Sequence, residues 1–207
     1  MKICLKRVVK TENEPYLSLY FEFSDGERTQ KRVLSFPEGR YFELKLRRGE
    51  ISKELFDQLE NESKECAAYR RGVGILAYGA NSRRALERKL RQKGFDGESA
   101  HSAVEKLNSD GYINETEDAV RLAESCVRKL WGERRILAHL REKGYGSEAT
   151  EAAKEALSEV DFTANCRKLT EKKYGSLPKE KTDAEKIIAA LVRYGYTLSQ
   201  IKNALSR

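Results

Sequence analysis

Leu86-x-x-x-Leu90-x-x-x-Gly94-Phe95 is one of three copies of a single pattern in this 207-residue chain. The pattern returns as Ile-x-x-x-Leu-x-x-x-Gly-Tyr at residues 136–145 and again at residues 187–196, so that its glycines are 50 and 51 residues apart (144 − 94 and 195 − 144). Apolar residues four positions apart share one face of a helix, and a glycine after them favours the left-handed conformation in which helices end. The three copies therefore predict a repeat protein.

Helical patterns surround each copy and divide most of the chain into three units of three helices. We expect these repeats at residues 61–113, 114–160 and 161–207, with the quoted pattern in the middle helix of each. Units of this size gain stability by stacking on their neighbours along the chain. The predicted fold class is mainly α, with three tandem three-helix repeats that form an elongated, curved body and a small β-containing N-terminal region.

Residues 1–60 form that N-terminal region in our interpretation, as a hairpin or small sheet followed by one helix. Residues 3–9, 16–23 and 27–34 are rich in β-branched and aromatic residues with partial period-two alternation. Asp25-Gly26 predicts a hairpin turn between the second and third of these runs. Residues 41–46 fit either a further short strand or an extended linker.

Two separate helices are expected after these strands. Ser52 predicts the N-cap of the first, which carries Leu55, Phe56 and Leu59. The second, near residues 63–78, opens the first repeat.

The charge of the chain is basic and unevenly distributed. Forty Lys and Arg against 33 Asp and Glu give a net charge of +7, and the pI is about 9.1. The net charge is +1 for residues 1–60, +3 for 61–113, −2 for 114–160 and +5 for 161–207. The basic outer repeats are compatible with a polyanionic partner.

Catalytic and metal-binding patterns find little support in the sequence. The four cysteines are far apart and lack a Cys-x-x-Cys pair, and the two histidines, His101 and His139, fall in different repeats. The sequence contains neither a phosphate-binding Gly-x-x-x-x-Gly-Lys-Ser/Thr loop nor a nucleophile elbow. We expect a protein that is not an enzyme and that has no cofactor and no metal.

The N-terminus lacks the apolar core of a signal peptide, and no apolar run approaches the roughly 20 residues that cross a bilayer. We therefore expect a cytoplasmic protein without a membrane partner.

Basic residues in clusters are the candidate binding residues. Arginine is common among them, and its planar guanidinium binds phosphate or carboxylate through two hydrogen bonds. For any single pair, a solvated helix surface remains the simpler interpretation. The candidates are Arg70, Arg71, Arg83, Arg84, Arg88, Lys89, Arg134, Arg135, Lys172 and Lys173.

The order of several motifs resembles the RecX family of bacterial regulatory proteins of the RecA recombinase. The motifs are Ser82-Arg83-Arg84-x-Leu86-x-x-Lys89-Leu90-x-x-Lys93-Gly94-Phe95, then Leu107-x-x-x-Gly111-Tyr112-Ile113-Asn114, then Gly132-x-x-Arg135-Ile136-x-x-x-Leu140-x-x-Lys143-Gly144. The resemblance covers residues 62–207, and residues 1–60 are similar to the β-containing N-terminal extension of some members. One departure is the absence of an aromatic residue after Asn114, where family members often have an Asp and then an aromatic-Ala pair.

The resemblance implies a non-enzymatic modulator that lies in the groove of the RecA–DNA filament, impedes its growth and strand exchange, and lowers its ATP hydrolysis. It implies the RecA filament as the main partner, with weaker electrostatic contact to single- or double-stranded DNA, and we expect a monomer. A general DNA-binding protein that acts without RecA is the alternative, because three-helix units can present a helix to a groove. An enzyme is a distant third.

Overall fold

The computed structural model describes residues 2–10, 15–26, 28–175 and 181–206, and for residues 181–183 it describes the backbone alone. The described chain is mostly helical, with a small antiparallel sheet near its N-terminus. The predicted mainly α fold class is therefore confirmed.

Four strands form the sheet: β1 (Lys2–Lys10), β2 (Tyr16–Ser24), β3 (Thr29–Pro37) and β4 (Gly49–Ile51). Their order is β3-β2-β1-β4, and every neighbouring pair is antiparallel. In β2 alternate side chains are buried, as the period-two pattern predicts. The turn predicted at Asp25-Gly26 joins β2 to β3, where Gly26 has a φ of +71° and the Asp25 amide donates to the Arg28 carbonyl at 3.1 Å.

Residues 41–46 differ from the prediction of a strand or an extended linker. A short helix, α1 (Glu38–Glu43), covers the first of them, and β4 follows only at Gly49. Ion pairs to residues distant in sequence fix this helix, since Arg40 Nε lies 3.0 Å from the Glu62 carboxylate. Such tertiary contacts override the local β propensity of an aromatic stretch.

The two helices predicted around residue 60 are one continuous helix, α2 (Lys53–Leu76). Ser52 caps it as predicted, with the Leu55 amide donating to the Ser52 hydroxyl at 3.1 Å. Ser63, in the middle of α2, is buried, and its hydroxyl donates to the Ser35 carbonyl of β3 at 2.9 Å. Because this polar side chain is satisfied, nothing interrupts the helix where the sequence suggested a boundary.

In the described part of the chain, eight further helices follow α2 and complete three groups of three. The quoted pattern lies in the middle helix of each group, and its glycines have φ values of +95°, +88° and +97°. These values confirm the predicted helix stops. The helices are α3 (Arg83–Gln92), α4 (Gly97–Ser109), α5 (Glu115–Arg128), α6 (Glu133–Glu142), α7 (Ser147–Ala156), α8 (Phe162–Tyr174), α9 (Lys181–Arg193) and α10 (Leu198–Leu205).

The chain packs as two compact units. Unit 1 contains Met1–Gly79 and Leu86–Tyr112, and it includes an apolar core between the sheet and α2. Unit 2 contains Ala80–Ala85 and Ile113–Arg207, and the second and third repeats share one continuous core there. The division into four domains at residues 60, 113 and 160 remains a prediction from the repeats.

Candidate interaction surface

Within unit 2, the N-terminus of α6 binds the chain that follows α9. The amide of Gly132 donates to the Tyr194 carbonyl at 2.7 Å, and the amide of Arg134 donates to the Gly195 carbonyl at 3.3 Å. The first amides of a helix and the last carbonyls of another both lack partners within their own helices, so each end satisfies the other. The opposite partial charges of the two helix ends add to the attraction.

The N-terminus of α3 makes an equivalent contact with the chain that follows α6. Ser82 is buried, and its hydroxyl donates to the Lys143 carbonyl at 2.7 Å while it accepts from the Ala85 amide at 3.1 Å. Ser82 and Gly132 both lie 12 residues before a repeat glycine (94 − 82 and 144 − 132). A small residue at this position is the sequence signal of the contact, and the apolar pattern alone does not reveal it.

The repeat glycines of the second and third repeats make these contacts possible. A Cβ atom at Gly195 would lie 2.5 Å from both the amide nitrogen and the Cβ of Arg135, and one at Gly144 would lie 2.9 Å from the Ser82 hydroxyl oxygen. No described atom outside its chain neighbours lies within 4 Å of a Cβ built at Gly94. The glycines therefore end helices in all three repeats and also permit close backbone approach in two.

Several of the predicted binding residues contact other side chains of the fold. The guanidinium of Arg70 lies 4.1 Å from the centre of the Tyr16 ring and donates to the Ser35 hydroxyl at 3.2 Å. Arg135 lies 3.9 Å from the Trp131 ring centre and 5.1 Å from that of Tyr194. Both arginines are partly buried, and such cation–π contacts attach charged side chains to the protein's own aromatic rings.

Lys173 and Arg83 also contact neighbouring side chains. The Lys173 ammonium donates to the Tyr194 hydroxyl and lies 4.4 Å from the centre of that ring. This hydrogen bond lowers the pKa of Tyr194 from its ordinary value, because it stabilises the phenolate. Arg83 donates two hydrogen bonds to the Glu115 carboxylate, one from its backbone amide at 2.9 Å and one from its Nε at 3.1 Å.

The remaining six candidates expose their side chains to solvent. They lie on four helices, and three of them share α3. The six are Arg71 on α2, Arg84, Arg88 and Lys89 on α3, Arg134 on α6 and Lys172 on α8.

Helix α3 has the highest density of exposed positive charge among them. Its apolar face is buried and consists of Ala85, Leu86 and Leu90. The opposite face carries Arg84 and Arg88, which are four positions apart and exposed. No acidic side chain among the described residues forms an ion pair with Arg84 or Arg88, whereas Arg91 Nη2 lies 2.7 Å from Glu87. The pair can therefore bind phosphate or carboxylate groups without losing an internal contact.

Cys126 and Cys166 are buried, and Cys66 is partly buried. Burial raises the pKa of Cys66, Cys126 and Cys166, to about 11 for Cys166. These thiols are protonated at neutral pH and are therefore weak nucleophiles. Among the described residues no group of three or more His, Cys, Asp or Glu side chains is arranged to hold a metal ion.

Comparison with known proteins gives the family of the chain. Residues 68–107, which cover part of α2, all of α3 and most of α4, match the family model described as RecX, first three-helix domain. The regulatory protein RecX of Xanthomonas axonopodis pv. citri is 31% identical over 142 residues, which are 68% of this chain and 87% of that protein. The chain belongs to the RecX family.

Other RecX proteins and structures agree with this assignment. The regulatory protein RecX of Chlorobaculum tepidum is 32% identical over 151 residues, 70% of this chain and 90% of the relative. A crystal structure of regulatory protein RecX superposes with a TM-score of 0.74 at 19% identity and covers 97% of this chain and 99% of its own. RecX from Lactobacillus salivarius gives a TM-score of 0.58 at 21% identity over 69% of this chain and 94% of that one.

Family membership assigns a regulatory role to the chain and agrees with the resemblance found in its motifs. The structural similarity over 97% of the chain extends the shared fold to the N-terminal region as well. In the described part of the chain, no helix has both the length and the apolar character needed to cross a membrane.

Proposed function

We propose that this protein binds the RecA–DNA filament and inhibits the recombinase and ATPase activities of RecA in homologous recombination and DNA repair. The exposed Arg84–Arg88 face of α3 carries the proposal, because it lies within the segment that matches the RecX family model. The protein acts by binding and not by catalysis, and it binds as a monomer.

Binding through α3 explains how a regulator without a catalytic site can slow an ATPase. Arg84 and Arg88 bind carboxylates of RecA or phosphates of its DNA, each through two hydrogen bonds. Because these contacts are strongest on the assembled filament, they oppose rearrangements that accompany ATP turnover and strand exchange. Arg71, Lys89, Arg134 and Lys172 supply further positive charge at the surface.

The proposal is tested by measuring ATP hydrolysis by RecA on single-stranded DNA while the purified protein is added. We expect hydrolysis to fall at substoichiometric protein and RecA filaments to retain the protein in a pull-down assay. Unchanged hydrolysis at an equimolar ratio, with the protein folded, would contradict the proposal.

The second candidate function is DNA binding without RecA, which the arginine-rich surface of α3 also favours. An exposed helix of this kind can contact the phosphates that flank a groove. The two candidates differ in their response to salt and to RecA. Binding to bare DNA that weakens steeply with salt, together with no effect on RecA, would favour the second.

A further inference from the structure

The positive charge of the N-terminal region is concentrated in one short segment that no comparison assigns to a function. Residues 40–48 contain four basic residues and one acidic residue, whereas the rest of residues 1–60 contains 8 basic and 10 acidic residues (12 − 4 and 11 − 1). The segment begins in α1 and ends just before β4. We call residues 42–48 the Phe42 turn.

The Phe42 turn has a defined backbone conformation. The amide of Lys45 donates to the Phe42 carbonyl at 3.0 Å, and the amide of Leu46 donates to the Tyr41 carbonyl at 3.4 Å. These two bonds form a Schellman motif, which ends α1 and satisfies its last carbonyls. Leu44 and Leu46 pack against the core of the sheet, so the turn is fixed to unit 1.

Lys45 occupies the left-handed position of this motif, with a φ of +50°. Glycine is the usual residue there because a side chain is strained in that conformation. A lysine therefore stands where stability alone favours glycine. Strained residues concentrate at functional positions, where the side chain contributes something other than stability.

Helix α1, from which the turn projects, is held by ion pairs. Arg40 contacts Glu62 of α2 at 3.0 Å and also contacts Glu43 at 3.2 Å, so the one acidic side chain of the segment is already paired. Lys10 of β1 lies 3.1 Å from Glu38. The turn is thus preorganised, which lowers the entropy cost of binding.

An exposed aromatic ring accompanies the free charges. Phe42 is 64% exposed, and its ring meets that of Tyr41 edge-on with 5.4 Å between their centres. Lys45, Arg47 and Arg48, within six residues of Phe42, are all exposed. No acidic side chain among the described residues forms an ion pair with these three cations.

We propose that the Phe42 turn binds single-stranded nucleic acid, with Phe42 stacking on an unpaired base and Lys45, Arg47 and Arg48 contacting phosphates. The combination favours this partner over an acidic protein, because an exposed ring stacks on a base while neighbouring cations follow the backbone. A duplex keeps its bases stacked on one another and offers the ring no partner. This site goes beyond RecA binding through α3.

The test measures binding of a labelled single-stranded oligonucleotide to the full chain by fluorescence anisotropy. We expect Phe42→Ala to weaken binding about tenfold, through the loss of one stacked base. Its matched control is Val33→Ala, which truncates an exposed apolar side chain of the same unit. The variants are also made in the Arg84→Glu/Arg88→Glu background, in which binding by α3 is removed.

Two further variants separate binding from stability. Lys45→Gly should weaken oligonucleotide binding and raise the melting temperature, because it relieves the left-handed strain. Arg47→Ala/Arg48→Ala should lower the slope of log affinity against log salt by about 1.4 for a single strand, whereas the control Arg28→Ala/Lys31→Ala should leave it unchanged.

Two results would overturn the inference. One is unchanged affinity of Phe42→Ala in both backgrounds. The other is displacement of the oligonucleotide by a polyglutamate peptide whose affinity for the protein falls in Arg47→Ala/Arg48→Ala but not in Phe42→Ala. That result would identify a surface for an acidic protein.

DNA and RNA oligonucleotides of one sequence show which nucleic acid is preferred. Inhibition of RecA by the Phe42→Ala variant is measured in parallel. The oligonucleotide assay tests the Phe42 turn and the RecA assay tests the filament proposal, so either proposal can fail without the other.

Discussion

The middle helices of the first two repeats, α3 and α6, have the same apolar pattern but use their arginines differently. On α6, Arg135 packs between Trp131 and Tyr194, beside the glycine that ends the third repeat's middle helix. On α3 the equivalent position is the buried Ala85, and Arg84 and Arg88 face solvent without an ion-pair partner among the described residues. The same helix of two repeats thus carries an arginine packed within the fold in one copy and exposed arginines in the other.

The repeat glycines show the same difference. Gly195 lies against the backbone of α6, whereas a Cβ at Gly94 would meet no described atom beyond its chain neighbours within 4 Å. A residue that recurs for one local reason, the helix stop, acquires a second role only where another helix approaches it. Sequence identity between repeats is therefore a poor guide to the cost of a substitution.

The largest expected difference is between Gly195→Ala and Gly94→Ala. Both variants place a side chain at positive φ, which costs about 1 kcal/mol. Gly195→Ala also forces a methyl group to 2.5 Å from the Arg135 amide nitrogen, and we expect a total loss of about 3 kcal/mol or more. Urea unfolding followed by circular dichroism measures both losses, and equal values would show that the close approach is not tight.

Arg135→Ala and Arg134→Ala come next in size. Removing Arg135 loses two cation–π contacts and the packing of its methylene chain, so we expect a loss of about 1–2 kcal/mol. Arg134 is exposed, and its replacement should change stability by less than about 0.5 kcal/mol. Trp131 is the only tryptophan, so its fluorescence should change in Arg135→Ala alone. The same emission from both variants would contradict the structural role of Arg135.

Ser82→Ala should have the smallest effect of the three. The variant loses the cap of α3 and the bond to the Lys143 carbonyl, for an expected cost of about 1 kcal/mol. Ser109→Ala is its control, since the exposed Ser109 hydroxyl donates only to the carbonyl three residues earlier. If thermal melting finds the two serine variants equally stable, the contact between α3 and the chain after α6 contributes nothing measurable.

The sequence predicted those parts of the fold that depend on neighbouring residues. The repeat glycines marked the ends of α3, α6 and α9, Ser52 marked the start of α2, and alternation marked β1, β2 and β3 but not β4. Helix α1 was missed, because an ion pair from Arg40 to Glu62, 22 residues away, stabilises it. The prediction of a helix boundary near residue 60 was wrong. The buried Ser63 hydroxyl donates to the Ser35 carbonyl, 28 residues away, and a sequence pattern does not show such a long-range bond.

The candidate residues show the same limit. Charge clusters identified Arg84 and Arg88, which the structure exposes together on one face of α3. The clusters also included Arg135 and Lys173, whose aromatic partner Tyr194 is 59 and 21 residues away. Composition cannot separate a solvated cation from one that lies over a ring, because that depends on how the repeats pack.

The most direct measurement of the central claim is inhibition of RecA by Arg84→Glu/Arg88→Glu. Its control, Arg28→Glu/Lys31→Glu, changes the net charge equally on two exposed side chains, one just before β3 and one within it. With melting temperatures unchanged, we expect the α3 variant to need at least about tenfold more protein than wild type to halve ATP hydrolysis by RecA on single-stranded DNA, while the control inhibits as wild type does. Inhibition by the α3 variant equal to that of wild type would show that Arg84 and Arg88 do not bind the filament.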